Sequence, residues 1–124
     1  MPSSAYYAVI FTSTRKATPK NSPQAKAYAE MAAEMDHLVA QQPGYLGVES
    51  VSNMPLDDGQ GVKTITVSYW KDQQSISDWK RKAEHLVAQR MGRKDWYKSY
   101  TTRVCLVERE YSFEARDDSP YVWS

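Results

Sequence analysis

TITVSYWKDQQSISDWKRKAEHLVAQRMGRKDWYKSYTTRVCLVEREY, residues Thr64 to Tyr111, carries a complete strand–helix–strand unit. Lys63 to Trp70 alternates β-branched and hydroxyl residues and ends in aromatics, which predicts a strand. "SYWKD" breaks it. Ser75 with Asp78 three residues on fits a capping box and opens a helix. Ile76, Trp79, Ala83, Leu86, Val87 and Arg90 then recur at helical spacing up to Gly92. "DWYKSY" forms an aromatic elbow, and Thr101 to Tyr111 reads as a long last strand.

Upstream, Tyr6 to Thr12 is apolar and aromatic or β-branched, a buried first strand. Ser22 then Pro23 reads as an N-cap followed by proline at the first helical position. The stripe Tyr28, Met31, Ala32, Met35, Leu38 and Val39 continues that helix until Pro43 and Gly44 end it. Leu46 to Asn53 gives a second strand, and Asp58-Gly59 in "MPLDDGQG" supplies a reversal into the strand that ends at Trp70.

The order β-α-β-β-α-β, with right-handed crossovers, gives an α+β, ferredoxin-like domain. Four antiparallel strands form its sheet, and two helices lie on one face. Residues 1–124 are expected to form this single domain, with a core over 6–111 and a tail over 112–124. Both parities of the last two strands are apolar: Ile65, Val67 and Tyr69 oppose Trp70, and Val104 and Leu106 oppose Cys105 and Val107. A sheet apolar on both faces is buried on both. A second copy of the chain is the expected cover, giving a homodimer.

Bulk properties exclude several classes. A net charge of +1 with 25% charged residues leaves no polyanion footprint, so no nucleic-acid partner is expected. No apolar run approaches the ~20 residues that cross a bilayer, and "MPSSAYYAV" lacks a signal-peptide pattern. No membrane association is expected. The single cysteine, Cys105, precludes an internal disulfide and fits a reducing, cytoplasmic setting. Gly-rich phosphate loops, dinucleotide fingerprints and zinc-spaced Cys/His clusters are missing from the sequence, so no resident cofactor is expected.

The chemistry-bearing candidates gather in the quoted unit. Trp70, Trp79, Trp96, Tyr97 and Tyr100 are core or interface residues, or together line a slot for a planar aromatic molecule. Arg93 and Arg103 are rim charges or hold an anionic group. His85 lies near Lys82 and Gln89, off the central apolar stripe. It is either a solvated or interface histidine or a proton acceptor at a pocket mouth. His37 falls on the polar side of the first helix. Cys105 reads as a small buried hydrophobe.

Together "YYAVIFTS", "QQPGYLGVES", "ITVSYWKD", "WKRKAEHLVAQRMGR", "DWYKSY" and "RVCLVEREY" resemble the antibiotic biosynthesis monooxygenase family, from about Tyr6 to Tyr111. The resemblance implies a dimeric α+β barrel with a pocket between sheet and helices. It also implies oxidation of a small phenolic substrate by O2 without metal or organic cofactor. His85 would then be the base or hydrogen-bond partner, and Trp70, Trp79, Trp96, Tyr97 and Arg103 would contact the substrate. A haem-degrading branch shares the fold and is the alternative. Its pattern has an asparagine in the first strand and a histidine ten residues after a tryptophan. Here Trp79 fits the tryptophan, Gln89 stands where the histidine would be, and Phe11 and Thr12 occupy the first strand. The branch resembled also often pairs two histidines as HxxH, where this chain has Lys82 before His85. A third reading is a non-catalytic barrel that binds a small molecule or serves a stress response.

Overall fold

The computed structural model describes residues 5–19, 21–55, 61–91 and 97–115. Its elements follow in the order β1 (Tyr6–Lys16), α1 (Pro23–Val39), β2 (Tyr45–Pro55), β3 (Gly61–Trp70), α2 (Gln73–Met91) and β4 (Tyr97–Val107). The sheet runs β2-β3-β1-β4 with every neighbouring pair antiparallel, the ferredoxin-like arrangement. The Asp58-Gly59 reversal, Gly92, Arg93 and Trp96 lie outside the described residues.

Local chemistry accounts for the helix starts. Ser22 caps α1 by accepting the Ala25 N–H at 3.1 Å, with Pro23 at the first helical position. For α2 the cap is one turn earlier than the Ser75–Asp78 signature implies. Asp72 accepts the Ser75 N–H at 2.8 Å, and the Ser75 backbone and hydroxyl donors hold its carboxyl below the usual carboxylate range. An ionised aspartate accepts the exposed donors of a helix start, so Asp72 takes the role and Ser75 becomes its partner. Gly44 (φ 82°) lets the entry to β2 pass against this cap, since a Cβ there would collide with the Ser75 side chain. Its carbonyl accepts the Lys71 N–H at 2.8 Å.

β4 also begins and ends earlier than the sequence suggests. Tyr97 to Tyr100 pair with β1, whereas Glu108 to Tyr111 are irregular. The aromatic elbow is thus part of the strand itself. The Tyr6 hydroxyl donates to Glu110 and ties this exit back to β1.

The core packs at one end of the layer between sheet and helices. Val39, Trp70 and Ile76 are buried there, with Tyr7, Val9, Tyr45 and Trp79 against them. Trp70 is fully buried, and its indole N–H donates to Ser68 Oγ at 2.8 Å. At ~25 cal/mol per Å² and ~150–250 Å² for an aromatic side chain, its burial stabilises the fold by about 4–6 kcal/mol. Arg90 on α2 pairs with Glu34 on α1, and Lys82 donates to Gln42 at 2.8 Å, which sets the two helices side by side.

Strand register assigns the remaining residues to faces. Tyr7, Val9, Phe11, Ser13 and Arg15 of β1 face the helices, opposite Trp70, Ser68, Thr66, Thr64 and Val62 of β3. The face turned away from the helices carries Ile10, Ile65, Val67, Cys105 and Val107. Both faces are therefore apolar in part, as the two-sided pattern implies. Among the described residues no helix is long and apolar enough to cross a membrane.

Candidate functional site

Opposite ends of the interlayer are built differently. At one end Trp79 stacks on Trp70, with centroids 6.4 Å apart and planes 26° from parallel. Tyr45 meets Trp70 edge-on at 5.6 Å. This end is filled. At the other end Tyr97, at the start of β4, meets Phe11 edge-on at 6.0 Å and Tyr28 of α1 at 6.3 Å. Tyr100 lies 5.6 Å from both Phe11 and Tyr97. The Arg15 guanidinium covers Tyr28 at 3.9 Å from the ring centroid.

A bulge at Thr14/Arg15 sets this arrangement. The β1–β4 register passes from Thr14↔Ser99 to Arg15↔Tyr97, so β4 carries one extra residue, Lys98. Bulges re-aim side chains at sheet edges. Here the bulge keeps Tyr97 and Tyr100 on the same face, beside Arg15.

Within this second end the sheet presents hydroxyls, between Phe11 and Arg15 of β1. Ser13 and Thr64 are direct register partners, only 3% and 8% exposed. Among the described residues, neither hydroxyl oxygen has a hydrogen-bond partner. Leaving a buried polar group unpaired costs about 1–3 kcal/mol, and each such case calls for an explanation. On the same face of β4, Tyr100, Val104 and Leu106 are 50–60% exposed. The interlayer therefore opens along the β4 edge, next to the hydroxyls and the aromatic group.

Electrostatics match this geometry. Burial raises the Tyr97 phenol well above its ordinary value, and the neighbouring Tyr28 hydroxyl adds to the rise, while Arg15 opposes it. Tyr97 therefore stays protonated at neutral pH, its hydroxyl engaged with that of Tyr28.

The structure brings together some of the sequence candidates and separates the others. Tyr97 lies in the aromatic group at the open end, and Trp79 lies in the interlayer at the filled end. Trp70 is fully buried in the core, so it supports the filled end from beneath. Arg103 is exposed opposite Ile10, on the face turned away from the helices. His85 is exposed and stands nine residues after buried Ile76, about two and a half helical turns, which directs it away from the sheet. Trp96 and Arg93 lie outside the described residues. Cys105 is a half-buried free thiol on the far face.

Arg15, Ser13 and Thr64 are not candidates in the sequence, where Phe11 and Tyr28 figure only as strand and helix residues. The signal was present in "TITVS", where Thr64, Thr66 and Ser68 alternate with Ile65 and Val67. Such alternation ordinarily assigns the hydroxyls to solvent. Here they face the helices.

Cofactor-binding chemistry is sparse in this layer. Among the described residues no group of three His, Cys, Asp or Glu side chains is placed to hold a metal ion. His37 and His85 are both exposed, and Gln89 is exposed as well. The interlayer offers hydroxyls and a guanidinium, with no imidazole or thiolate for the axial position of a haem iron, and Tyr97 is held in its protonated form. The described residues do not fit haem ligation.

Comparison with known proteins places these features in context. The sequence pattern of the antibiotic biosynthesis monooxygenase family matches residues 16–91. The chain is 43% identical over 113 residues to the uncharacterized protein YqjZ of Bacillus subtilis, an overlap spanning 91% of this chain and 89% of that protein. Its fold resembles that of SnoaB, a cofactor-independent oxygenase from Streptomyces nogalater, solved as a mutant. That likeness has a TM-score of 0.53 at 11% identity, over 93% of this chain and 98% of that one. It also resembles a mutant of MhuD with two manganese protoporphyrin IX bound per active site (TM-score 0.55, 13% identity, 86% and 99% of the two chains). A dimeric ferredoxin-like protein of unknown function from Thermobifida fusca matches at TM-score 0.54 and 10% identity, over 82% and 92%. At such identities the structural likenesses establish the fold.

Proposed function

The chain belongs to the antibiotic biosynthesis monooxygenase family, and from that premise we propose that it oxidises a small aromatic phenol with O2 in the interlayer cleft, without metal or organic cofactor. The observation that supports this reading is the side of the interlayer that the helices leave uncovered at β4: Tyr97, Arg15 and the Ser13 and Thr64 hydroxyls, which have no partner among the described residues, share one sheet face beside it. An apolar, aromatic-walled cleft with a few convergent polar groups suits a flat ligand with one polar end.

The chemistry follows from the charge distribution. Arg15 favours the phenolate over the phenol, and the proton leaves to solvent at the β4 edge. The electron-rich phenolate gives an electron to O2, and recombination forms a C–O bond and a peroxide. Loss of water from the peroxide leaves a quinone. The balance is one phenol and one O2 to one quinone and one water: the phenol loses two hydrogens, and one oxygen atom becomes the new carbonyl. Tyr97, its hydroxyl engaged with that of Tyr28, walls the space beside the reacting ring. Phe11 and Tyr28 hold the ring and exclude water from the peroxide.

A homodimer completes this reading. Ile10, Ile65, Val67, Cys105 and Val107 form an apolar sheet face that the chain's own helices do not cover, and a second copy buries it. In the same reading Cys105 stays a reduced thiol in the cytoplasm. His85 lies outside the cleft and has no part in this chemistry.

Isotopically labelled O2 tests the proposal. A polycyclic phenol such as 1-naphthol, incubated with the purified dimer, should yield a quinone carrying one labelled oxygen. A quinone without label would show that O2 acts only as an outside oxidant and would remove the oxygenase reading.

A further inference from the structure

We propose that the Ser13 and Thr64 hydroxyls form a two-donor clamp for a single phenolic oxygen of the substrate, and that this clamp selects hydroxylated aromatics. The inference rests on the interlayer cleft being the substrate site. Ser13 and Thr64 face each other across the β1–β3 pairing, on the helix-facing side. Directly opposed residues hold their Cβ atoms ~4.5–5.5 Å apart. Hydroxyls on short, freely rotating arms at that separation both reach one acceptor at ~2.7–2.8 Å.

Both side chains are more than nine-tenths buried, and both oxygens lack a partner among the described residues. Alanine at 13 and valine at 64 would fill nearly the same space without an orphaned polar atom. The fold therefore gains nothing from the hydroxyls, whereas a ligand oxygen satisfies both. Neighbouring groups supply the rest of the specificity. Phe11 precedes Ser13 by two residues on the same face, and Arg15 follows it by two, each ~6.5 Å along the strand. The ring then lies on the Phe11 side, and the positive charge stands beside the clamped oxygen.

Ser13→Ala, Thr64→Val and the double variant test this with two readouts. The first is the thermal unfolding midpoint of the ligand-free protein, expected to hold or rise in all three. A fall in Thr64→Val would mean that the hydroxyls are satisfied within the fold or through a buried water, and would overturn the clamp. The second is fluorescence titration with 2-naphthol and with naphthalene. Wild type is expected to bind 2-naphthol at least about tenfold more tightly than naphthalene, as one or two hydrogen bonds supply. The double variant should lose that ratio while keeping its naphthalene affinity. Equal binding of both probes by wild type, no binding of either, or an unchanged ratio in the double variant would each overturn it. O2 consumption separates the clamp from the oxygenase reading. Hydroxyl discrimination without any O2 uptake keeps the clamp and removes the oxygenase; phenol-dependent uptake with the same KM in the double variant does the reverse.

Discussion

Arg15 of β1 lies over the ring of Tyr28 on α1, 3.9 Å from its centroid. The contact holds a guanidinium between β1 and α1, next to Tyr97 and two residues from Ser13. A guanidinium so placed lowers the cost of an anion nearby, because the interlayer screens charge less than water does.

Replacing Arg15 by glutamine removes that charge and should shift the ascending limb of the pH–rate profile for phenol oxidation to higher pH. Arg15→Lys keeps the charge and should keep the limb nearer its wild-type position. Steady-state rates across the pH range check this, and coincident limbs for all three proteins would exclude Arg15 from substrate ionisation.

Tyr97 predicts a change in stability at high pH. Its phenol is raised in the folded state, so below about pH 10 the folded and unfolded chains bind the same proton and stability is flat. Above that pH the unfolded tyrosine ionises while Tyr97 keeps its proton, and stability falls as pH rises toward the folded value. Tyr6 and Tyr69 are raised too, by their bonds to Glu110 and Glu49, so the wild-type decline is a sum. Denaturant unfolding from about pH 8 to pH 11 should show a shallower decline for Tyr97→Phe than for wild type.

The filled end of the layer makes a separate prediction. Trp70→Ala removes the largest fully buried side chain and the partner on which Trp79 stacks, and should cost about 3–5 kcal/mol of stability. Trp70→Phe should cost less. Equilibrium denaturation measures both, and a change below about 1 kcal/mol for the alanine variant would contradict the core assignment.

An apolar face calls for an assembly test. Val67→Glu places a carboxylate in the middle of the sheet face turned away from the helices. Sedimentation at micromolar concentration should show a dimer for wild type and a monomer for the variant. An unchanged dimer would move the interface elsewhere.

Much of this fold is written locally in the chain. Ser22-Pro23 marks the start of α1, the Ile76–Leu86 stripe marks the buried side of α2, and strand order follows from the alternation of elements. The cleft is written in register, which no local pattern carries. Ser13 meets Thr64 only because β1 pairs antiparallel with β3, and Tyr97 reaches Arg15 only through a bulge in β4. The alternation of Thr64, Thr66 and Ser68 with Ile65 and Val67 also points the unexpected way. The hydroxyl side faces the helices, and the apolar side is left uncovered by the chain's own helices. His85 attracts attention by its chemistry, but the phase of α2 turns it outward.

The most direct test is an oxygen-electrode measurement on the purified protein with a panel of polycyclic phenols, run beside a haemin titration followed by absorbance. The cleft chemistry predicts O2 consumption matched one to one by quinone, reduced in Arg15→Gln, unchanged in His85→Ala, and no Soret shift. A stoichiometric Soret shift that bleaches when reductant is added, with no phenol-dependent O2 uptake, would contradict it and make haem the substrate.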